Sequence, residues 1–325
     1  MKNNLSGAST QKDALRIGVI GIGNIAQKAY LPVLTSQPGV DLHFMTRDRE
    51  KLERVGAAYR VPHLYTDLEA LMAAGMHAAF VHAPTEHHYE IVTRLLAANI
   101  DVFVDKPLSY NIAESRRMVS LARELGRSLM VGFNRRFAPA YTETLKHPRD
   151  LVILQKDRQN GLGSTRSIIL DDFIHLVDTL RMLAPATALD IDVRGKIDST
   201  GCLHHVILQL ADRGFNGLAI MNRTSGSNSE VLQTAGAGER RDVTNLSETL
   251  AHHGAARQLP GNDWDSVGHR RGIEDMCQYF LDALRTGKRL DAGDALTSHE
   301  LCEQIIESLT TSDAQHRSEA LNQTT

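Results

Sequence analysis

Three small residues stand in the loop that follows the first apolar run of the chain. Gly21, Gly23 and Ala26 lie in the stretch GIGNIA, directly after the run LRIGVI and directly before an amphipathic segment. Glycines permit a tight turn and a close backbone approach to a pyrophosphate, which the following helix N-terminus would face. The loop therefore predicts a dinucleotide site that also includes Asn24 and Ile25. The alternative is a structural glycine turn.

The end of the second apolar run bears on which dinucleotide would bind. An NAD-specific fold usually has Asp or Glu about twenty residues after the glycine loop, where it holds the ribose 2′-hydroxyl. This chain has Met45, Thr46 and Arg47 there. A guanidinium pairs with phosphate oxygens, which favours NADP(H) over NAD(H). Asp48 leaves NAD open, and Arg47 could instead be a solvated surface charge.

A second chemical pattern lies in the middle of the chain, in the segment LDDFIHLVDTLRML. At about 3.6 residues per helical turn, Asp171, His175 and Asp178 share one face and the apolar residues share the opposite face. Histidine titrates near neutral pH and can exchange a proton with an alcohol, while a carboxylate one turn away can orient the imidazole. The alternative is an amphipathic helix with a solvated polar face.

The first half of the chain supplies elements that could position these residues. Between Leu15 and about Arg136, short β-rich runs alternate with longer amphipathic stretches, which is typical of βαβ units around a doubly wound parallel sheet. We therefore predict an α/β fold with an NAD(P)-binding Rossmann domain over residues 15–136. Ligands of such sheets bind at the carboxyl ends of the strands.

The second half has strand-like runs with fewer helices between them. The runs LVILQK, TRSIIL, HHVILQL and GLAIMN follow Asn134, and helices are predicted over about 273–284 and 296–309. This pattern predicts a C-terminal α+β domain with a largely antiparallel open sheet over residues 137–311. Residues 1–14 and 312–325 are polar and lack apolar periodicity, so we predict flexible tails there.

The composition excludes several function classes. A chain of 325 residues with net charge −3 and a pI near 6.6 is ordinary for a globular protein and has no basic excess for nucleic acid. The three cysteines lack the spacing of a disulfide framework or a zinc site, and adjacent histidines point apart, so no metal is predicted. No apolar run has the length of a membrane span, and the polar start does not resemble a signal peptide, so we expect a cytoplasmic protein.

One long run in the first half, joined to the glycine loop, carries a family resemblance. The stretch FVHAPTEHHYEIVTRLLAANIDVFVDKPLS resembles the Gfo/Idh/MocA family of sugar and cyclitol oxidoreductases. The runs MVGFNRRFAP and DDFIHLVDT resemble in particular its MviM-type branch, and the likeness extends from about Leu15 to Thr310, thinning after about Asp190. It implies an NAD(P)-dependent dehydrogenase or reductase acting on a CH–OH group of a small polar, sugar-like or cyclitol-like substrate. It also implies a homo-oligomer, commonly paired through the open sheet.

The resemblance assigns a role to the strand-end motif Asp105, Lys106, Pro107. In the family this motif is usually Glu-Lys-Pro, and its lysine holds a substrate hydroxyl beside the nicotinamide. Lys106 inherits that catalytic and substrate-binding role and is also an expected cofactor contact, and its place at the carboxyl end of a parallel strand agrees with this. The shorter Asp105 leaves its contact with the cofactor ribose or with the lysine open. A lysine in an arbitrary loop is otherwise simply solvated.

The family's other signature is an aspartate followed four residues later by a histidine. It maps onto Asp171 and His175, which implies that both are catalytic and bind substrate.

Two further runs complete the predicted site. After the fourth strand, the resemblance implies cofactor contacts from Ala83, Pro84, Thr85 and His88, although His88 could be purely structural. After the last Rossmann strand, Asn134 and Arg136 are candidates for substrate contact, or they could brace the domain interface.

A different class of function also fits the glycine loop. A non-catalytic dinucleotide-binding regulator or sensor would use the same fold, because fold alone does not fix function. Retention of Lys106 together with Asp171 and His175 favours the enzyme, since a sensor needs only the glycine loop.

Overall fold

The computed structural model describes residues 14–185 and 189–322, with side chains described up to residue 311. The described residues form two sheets, one of six strands and one of eight. The predicted tail at residues 1–14 lies almost wholly outside the described residues. The predicted domain boundaries at 136 and 311 stay predictions.

The first sheet is parallel throughout, with strand order β3-β2-β1-β4-β5-β6. The order reverses between β1 and β4, and ligands of open α/β sheets bind beyond the carboxyl ends at such a point. The predicted Rossmann sheet is thus confirmed. Its strands are β1 (Leu15–Ile20), β2 (Val40–Met45), β3 (His63–Tyr65), β4 (Ala78–Val81), β5 (Asp101–Val104) and β6 (Leu129–Val131).

The connections between these strands are helical, as βαβ units require. A π-helical turn, Ala26–Tyr30, leads from the glycine loop into the first α-helix. The helices are α1 (Leu31–Leu34), α2 (Arg49–Tyr59), α3 (Leu68–Ala73), α4 (His88–Ala97) and α5 (Ile112–Glu124). Asp48, Asp67 and Asn111 cap α2, α3 and α5, and each side chain accepts a backbone N–H of the first turn.

The second sheet is largely antiparallel, in the order β14-β13-β12-β11-β7-β10-β9-β8, with one parallel pair, β7 and β10. This confirms the predicted α+β half with an open sheet. Its strands are β7 (Leu151–Asp157), β8 (Asp190–Ile197), β9 (Leu203–Ala211), β10 (Asn216–Asn222), β11 (Ser229–Gly236), β12 (Glu239–Thr244), β13 (Glu248–His253) and β14 (Ala255–Leu259).

Helices cover one face of the second sheet. Strand β7 alternates buried and half-buried residues, and its buried Val152 and Leu154 share a core with Leu176 and Leu180 of the covering helix. The helices of this half are α6 (Pro139–Thr144), α7 (Thr165–Ile168), α8 (Ile174–Leu183), α9 (Val267–Arg270), α10 (Ile273–Thr286) and α11 (Gly293–Asn322), with a π-helical turn, Ile169–Phe173, between α7 and α8.

The run TRSIIL, predicted as a strand, is helical, so that prediction was wrong. Ser164 accepts the backbone N–H of Ser167 and starts α7, and Ile168 and Ile169 are buried among core residues from a helical backbone. The β-branched residues suggested a strand, but the local cap and tertiary burial outweigh that weak preference.

Helix α11 also departs from expectation, because it continues past residue 311, where we predicted a tail, to Asn322. The segment contains neither proline nor glycine, so nothing in its backbone stops the helix.

Helix α10 packs on the first sheet although it comes late in the chain. The ring of Phe280 meets those of Phe80 and Phe103 at centroid distances of 5.2 and 5.7 Å. The apolar face of α10 therefore covers one face of the Rossmann sheet and shares a hydrophobic core with it.

The described helices include none with the length and apolarity needed to cross a bilayer. The expected cytoplasmic location stays a prediction.

Candidate functional site

The glycine loop has the shape that a pyrophosphate requires. Gly21 adopts φ +85°, and a Cβ there would lie 2.5 Å from the backbone nitrogen of Ala83, so only glycine fits. A Cβ on Gly23 would meet no protein atom within 4 Å, so the backbone borders open space on that side. Asn24 and Ile25 are exposed at the start of the helical turn, and Ile25 has 51% of its side chain accessible. These residues fit the phosphates of a dinucleotide.

A cavity of about 330 Å³ continues from this loop along the ends of β1, β2 and β4. Gly21, Thr46, Arg47, Ala83 and Pro84, which are among the predicted cofactor contacts, line this cavity. His87, which we did not predict, lines it too and lies 3.4 Å from the Arg47 guanidinium through Nε2.

Asp48 is engaged away from this cavity. Its carboxylate accepts the backbone N–H of Lys51 at 3.0 Å and caps α2. That backbone hydrogen bond lowers the pKa of Asp48, so the carboxylate is charged in its role as helix cap. Asp48, the residue that left NAD(H) binding open in the sequence analysis, therefore already accepts a hydrogen bond from the backbone of Lys51.

Asp105 turns back into the Rossmann core. Its Oδ1 accepts hydrogen bonds from the Tyr30 hydroxyl at 3.3 Å and from the Lys106 backbone N–H at 3.0 Å, and His82 Nδ1 lies 3.7 Å from Oδ2. Burial alone would raise the pKa of Asp105, but His82 and the charge of Lys106 lower it. Asp105 thus fixes the backbone of the catalytic candidate Lys106 and connects it to the helix that follows the glycine loop.

His88 is buried behind the cleft, with 1% of its surface exposed. Its Nδ1 lies 2.8 Å from the carbonyl oxygen of Pro107, and its Nε2 lies 2.9 Å from that of Ala83. Burial lowers its pKa, against the effect of these two carbonyls. The contacts support the structural alternative for His88, because it ties the loop after β4 to the loop after β5.

Lys106 and Asp171 meet across the two halves of the chain. The Lys106 Nζ donates to the backbone carbonyl of Asp171 at 2.6 Å. The Asp171 carboxylate accepts the hydroxyl of Tyr110 at 2.8 and 3.0 Å. Burial, and then the hydrogen bond to Asp171, raises the pKa of Tyr110 to about 12, so the phenol remains protonated and donates. The sequence analysis missed Tyr110, although it stands four residues after Lys106.

His175 follows on α8, and its Nδ1 is buried without a hydrogen-bond partner in the described part of the chain. We expected Asp171 to orient the imidazole one turn away, but its carboxylate binds Tyr110 instead. The π-helical turn Ile169–Phe173 places an extra residue in the helix and breaks the α-helical spacing on which that expectation was based.

The charges around His175 are positive. Burial, and then the charges of Arg135, Lys106, Lys156 and Arg158, lower the pKa of His175 well below its ordinary value. The imidazole is therefore neutral at physiological pH and can accept a proton. Its pKa responds to the charge of Lys106, so the two catalytic candidates share one electrostatic environment.

Asn134 and Arg136 have protein partners that support the bracing alternative. Asn134 Nδ2 donates to the carbonyl of Arg271 at 2.7 Å. Arg136 forms two hydrogen bonds with Asp178, at 2.7 and 2.8 Å, and pairs with Asp294 at 2.6 Å. Asp178 is 1% exposed, so it is not part of a solvated polar face on α8.

Other charged residues near His175 went unpredicted. Lys156 contacts Asp172, which Arg223 and Arg158 approach at 2.5 and 3.4 Å. The sequence carried one signal, because Lys156 occupies a position of β7 that alternation assigns to the apolar, helix-covered face.

The described residues contain one group with the spacing of metal ligands. Asp41, His43 and His63 place one potential ligand atom each within 4.8 Å of one another, on the neighbouring strands β2 and β3. The Asp41 carboxylate is 3.2 Å from His43 Nε2 and 3.6 Å from His63 Nε2, which also suits ordinary ion pairing. The sequence-based expectation of no metal stays a prediction.

Comparison with known proteins places both halves in described families. Residues 15–133 match the GFO_IDH_MocA oxidoreductase family with an NAD-binding Rossmann fold, and residues 139–254 match the YceM-like C-terminal domain. YceM of Salmonella typhimurium is 34% identical over 277 residues, which is 83% of this chain and 90% of that protein. The scyllo-inositol 2-dehydrogenase (NAD(+)) of Bacillus subtilis is 24% identical over 305 residues, 84% of this chain and 87% of that protein.

A solved structure extends the likeness to the whole fold. The crystal structure of the dehydrogenase MviM from Clostridium difficile superposes with a TM-score of 0.85 at 29% identity, and covers 91% of this chain and 99% of that one. The two proteins therefore share the same overall fold. The match over both halves confirms the resemblance found in the sequence: this chain belongs to the Gfo/Idh/MocA family of NAD(P)-binding oxidoreductases and is a dehydrogenase or reductase.

Proposed function

We propose that this protein transfers hydride between the nicotinamide of NADP(H) and a secondary alcohol, or the corresponding ketone, of a small polar, sugar-like or cyclitol-like substrate. The hydrogen bond from Lys106 Nζ to the Asp171 carbonyl carries the proposal, because it joins the lysine beside the predicted nicotinamide site to the helix of His175. The bound cofactor supplies or accepts the hydride, and the protein supplies orientation and electrostatics.

Lys106 holds the reacting oxygen. An ammonium has three donor hydrogens, and the bond to Asp171 uses one of them, so two remain for a substrate hydroxyl or carbonyl oxygen. A positive charge at this oxygen stabilises the alkoxide character that develops there as the hydroxyl proton leaves.

His175 accepts the hydroxyl proton during oxidation and returns it during reduction. The lowered pKa keeps the imidazole in its proton-accepting form. Asp171 has a positioning role in this scheme, since its carbonyl receives Lys106 and its carboxylate receives Tyr110.

The cofactor preference follows from charge at the ribose end of the cavity. Arg47 and Thr46 line the cavity, His87 lies beside the Arg47 guanidinium, and Asp48 is engaged as a helix cap. A guanidinium here favours the 2′-phosphate of NADP(H).

The second sheet also supports a homodimer. On the face opposite the helices, Ile207, Ile220 and Leu218 are only half-buried and lie side by side on β9 and β10. An apolar sheet face of this kind is stabilised when a second copy covers it.

Replacement of Lys106 by Met should lower kcat about 10²- to 10⁴-fold, because the variant lacks the charge that polarises the oxygen. Initial rates of NADPH oxidation with a panel of keto-sugars measure this. The matched Lys146→Met variant alters a lysine whose side chain is 72% exposed and should keep the parent rate. Tight NADPH binding without turnover of any substrate would favour a sensor instead.

The pH profile of alcohol oxidation tests His175. Because its pKa lies well below 6.5, the neutral base persists into acid, and kcat/KM of the wild type should fall only below pH 6.5. The His175→Asn variant should lose this acidic limb together with most of its activity, whereas His204→Asn should retain both. An unchanged acidic limb in His175→Asn would assign the titration to another group.

Replacement of Arg47 by Ala should weaken NADP(H) binding about tenfold to hundredfold and leave NAD(H) binding nearly unchanged, because the lost hydrogen bonds to the phosphate are charge-assisted. Fluorescence titration with NADPH and NADH measures the ratio. Arg49→Ala, which changes an arginine 75% exposed on α2, is the control. Equal weakening of both cofactors would refute the assignment.

A charge on the open sheet face should separate the subunits. We expect the wild type to sediment as a dimer or a higher oligomer and Ile220→Glu to sediment as a smaller species with an unchanged far-UV circular dichroism spectrum. Val267→Glu, which alters a residue 60% exposed on α9, should leave the assembly intact. A monomeric wild type at micromolar concentration would contradict this proposal.

A further inference from the structure

Three basic residues meet at the carboxyl ends of β7 and β10, two central strands of the second sheet. Lys156 ends the buried row of β7, Arg158 follows that strand, and Arg223 follows β10; we call these residues the cationic edge. Strands β7 and β10 are parallel neighbours that end together, with Asp157 opposite Asn222. The residues after them therefore emerge side by side, and Arg158 donates its backbone N–H to the Asn222 carbonyl at 2.8 Å.

The carboxylates at this edge do not balance its positive charge. The carboxylate of Asp172 pairs with all three cations. It contacts the ammonium of Lys156, and it lies 2.5 Å from Arg223 and 3.4 Å from Arg158. A second carboxylate, that of Glu230, accepts two hydrogen bonds from Arg135, at 2.5 and 2.7 Å, and lies 3.8 Å from Lys156. Among the described residues, these contacts join four cations, from Lys156, Arg158, Arg223 and Arg135, to two carboxylates, from Asp172 and Glu230.

An unbalanced positive charge is costly where the side chains are withdrawn from water. The side chains of Lys156 and Arg223 are only 3% and 14% exposed, and buried charges are normally paired. Burial and the charge of Arg135 lower the pKa of Lys156 to about 8 in spite of Asp172. An anion at the cationic edge would offset this excess.

Arg158 is the member that a ligand can reach. Its side chain is 33% exposed, its Nη1 donates to the Asp157 carbonyl at 3.1 Å, and in the described chain its Nη2 makes no hydrogen bond. Its Nε lies 3.4 Å from the carboxylate of Asp172, in the π-helical turn directly before α8, so the guanidinium lies on the side of the sheet that the helix of His175 covers. A planar guanidinium pairs with the oxygens of a carboxylate or a phosphate through two parallel hydrogen bonds.

We propose that the substrate carries an anionic group, a carboxylate or a phosphate, which the cationic edge binds through Arg158 and Arg223 while Lys106 and His175 engage its reacting hydroxyl. This inference rests on the proposed function, because it places the anion relative to that site. It narrows the substrate class from neutral sugars and cyclitols to acidic or phosphorylated polyhydroxy compounds. Arg223 gives the edge rigidity through its bond to the Gly161 carbonyl, and Arg158 discriminates between ligands.

Calorimetric titration of the NADP⁺-saturated protein tests the proposal with D-glucose, D-glucuronate and D-glucose 6-phosphate. At least one of the two anionic compounds should bind tenfold or more tightly than glucose, and which one does so separates carboxylate from phosphate recognition. Arg158→Gln should abolish this preference by weakening the anionic ligand about tenfold to hundredfold. Arg158→Lys should recover part of it. Arg194→Gln, whose arginine is 75% exposed on β8, should behave as wild type.

The absence of any Arg158-dependent difference between charged and neutral compounds, including binding of none of them, would overturn the proposal. Thermal denaturation first establishes that the Arg158 variants fold. Turnover is followed separately, with Lys106→Met as the reference. Charge-selective binding without Lys106-dependent turnover would refute hydride transfer and leave the anion site standing. Lys106-dependent turnover of neutral compounds alone would refute the anion site and support hydride transfer.

Discussion

The bond between the Lys106 ammonium and the Asp171 carbonyl is the contact on which the rest of the site depends. It is 2.6 Å long, and its two residues come from different halves of the chain and lie 65 positions apart. On the Rossmann side, Asp105 holds the Lys106 backbone, and His88 holds the Pro107 carbonyl. On the other side the helix containing Asp171 lies on the second sheet. A small shift between the halves would therefore separate the ammonium from the imidazole.

Buried ion pairs oppose such a shift. Arg136, just after β6, forms two hydrogen bonds with the buried Asp178 of α8, and its neighbour Arg135 does the same with Glu230 of β11. Both arginines lie on the segment where the chain passes between the halves. Loss of one partner from a buried pair costs about 3–5 kcal/mol, because the other charge is left without compensation. The Arg136–Asp178 pair ties α8, which carries His175, to the crossing segment, and the Arg135–Glu230 pair ties that segment to the second sheet.

Much of this arrangement could be predicted from the sequence, and the failures have physical causes. Gly21, Lys106 and His175 stand at strand ends or in helical patterns whose geometry is local, so their placement followed from spacing. The hydrogen bond between Tyr110 and Asp171 could not be predicted in this way. The π-helical turn before α8 changes the direction of the Asp171 side chain, and such a turn has no signature in the residue pattern. Asn134 and Arg136 were ambiguous because only tertiary partners distinguish a bracing side chain from one that faces a ligand.

The positive charges near the second sheet explain why the two catalytic candidates, Lys106 and His175, would have different roles. Burial and four neighbouring cations keep the imidazole of His175 neutral, so it is the group able to take a proton. In the proposed reaction, the positive field of the same cations would favour negative charge on the reacting oxygen to which Lys106 would donate. A proton that His175 accepted in that reaction would be held weakly and readily returned, because its pKa is lowered. An anionic substrate bound at the cationic edge would weaken this field, raise the pKa of His175 and strengthen it as a base only once the substrate is in place.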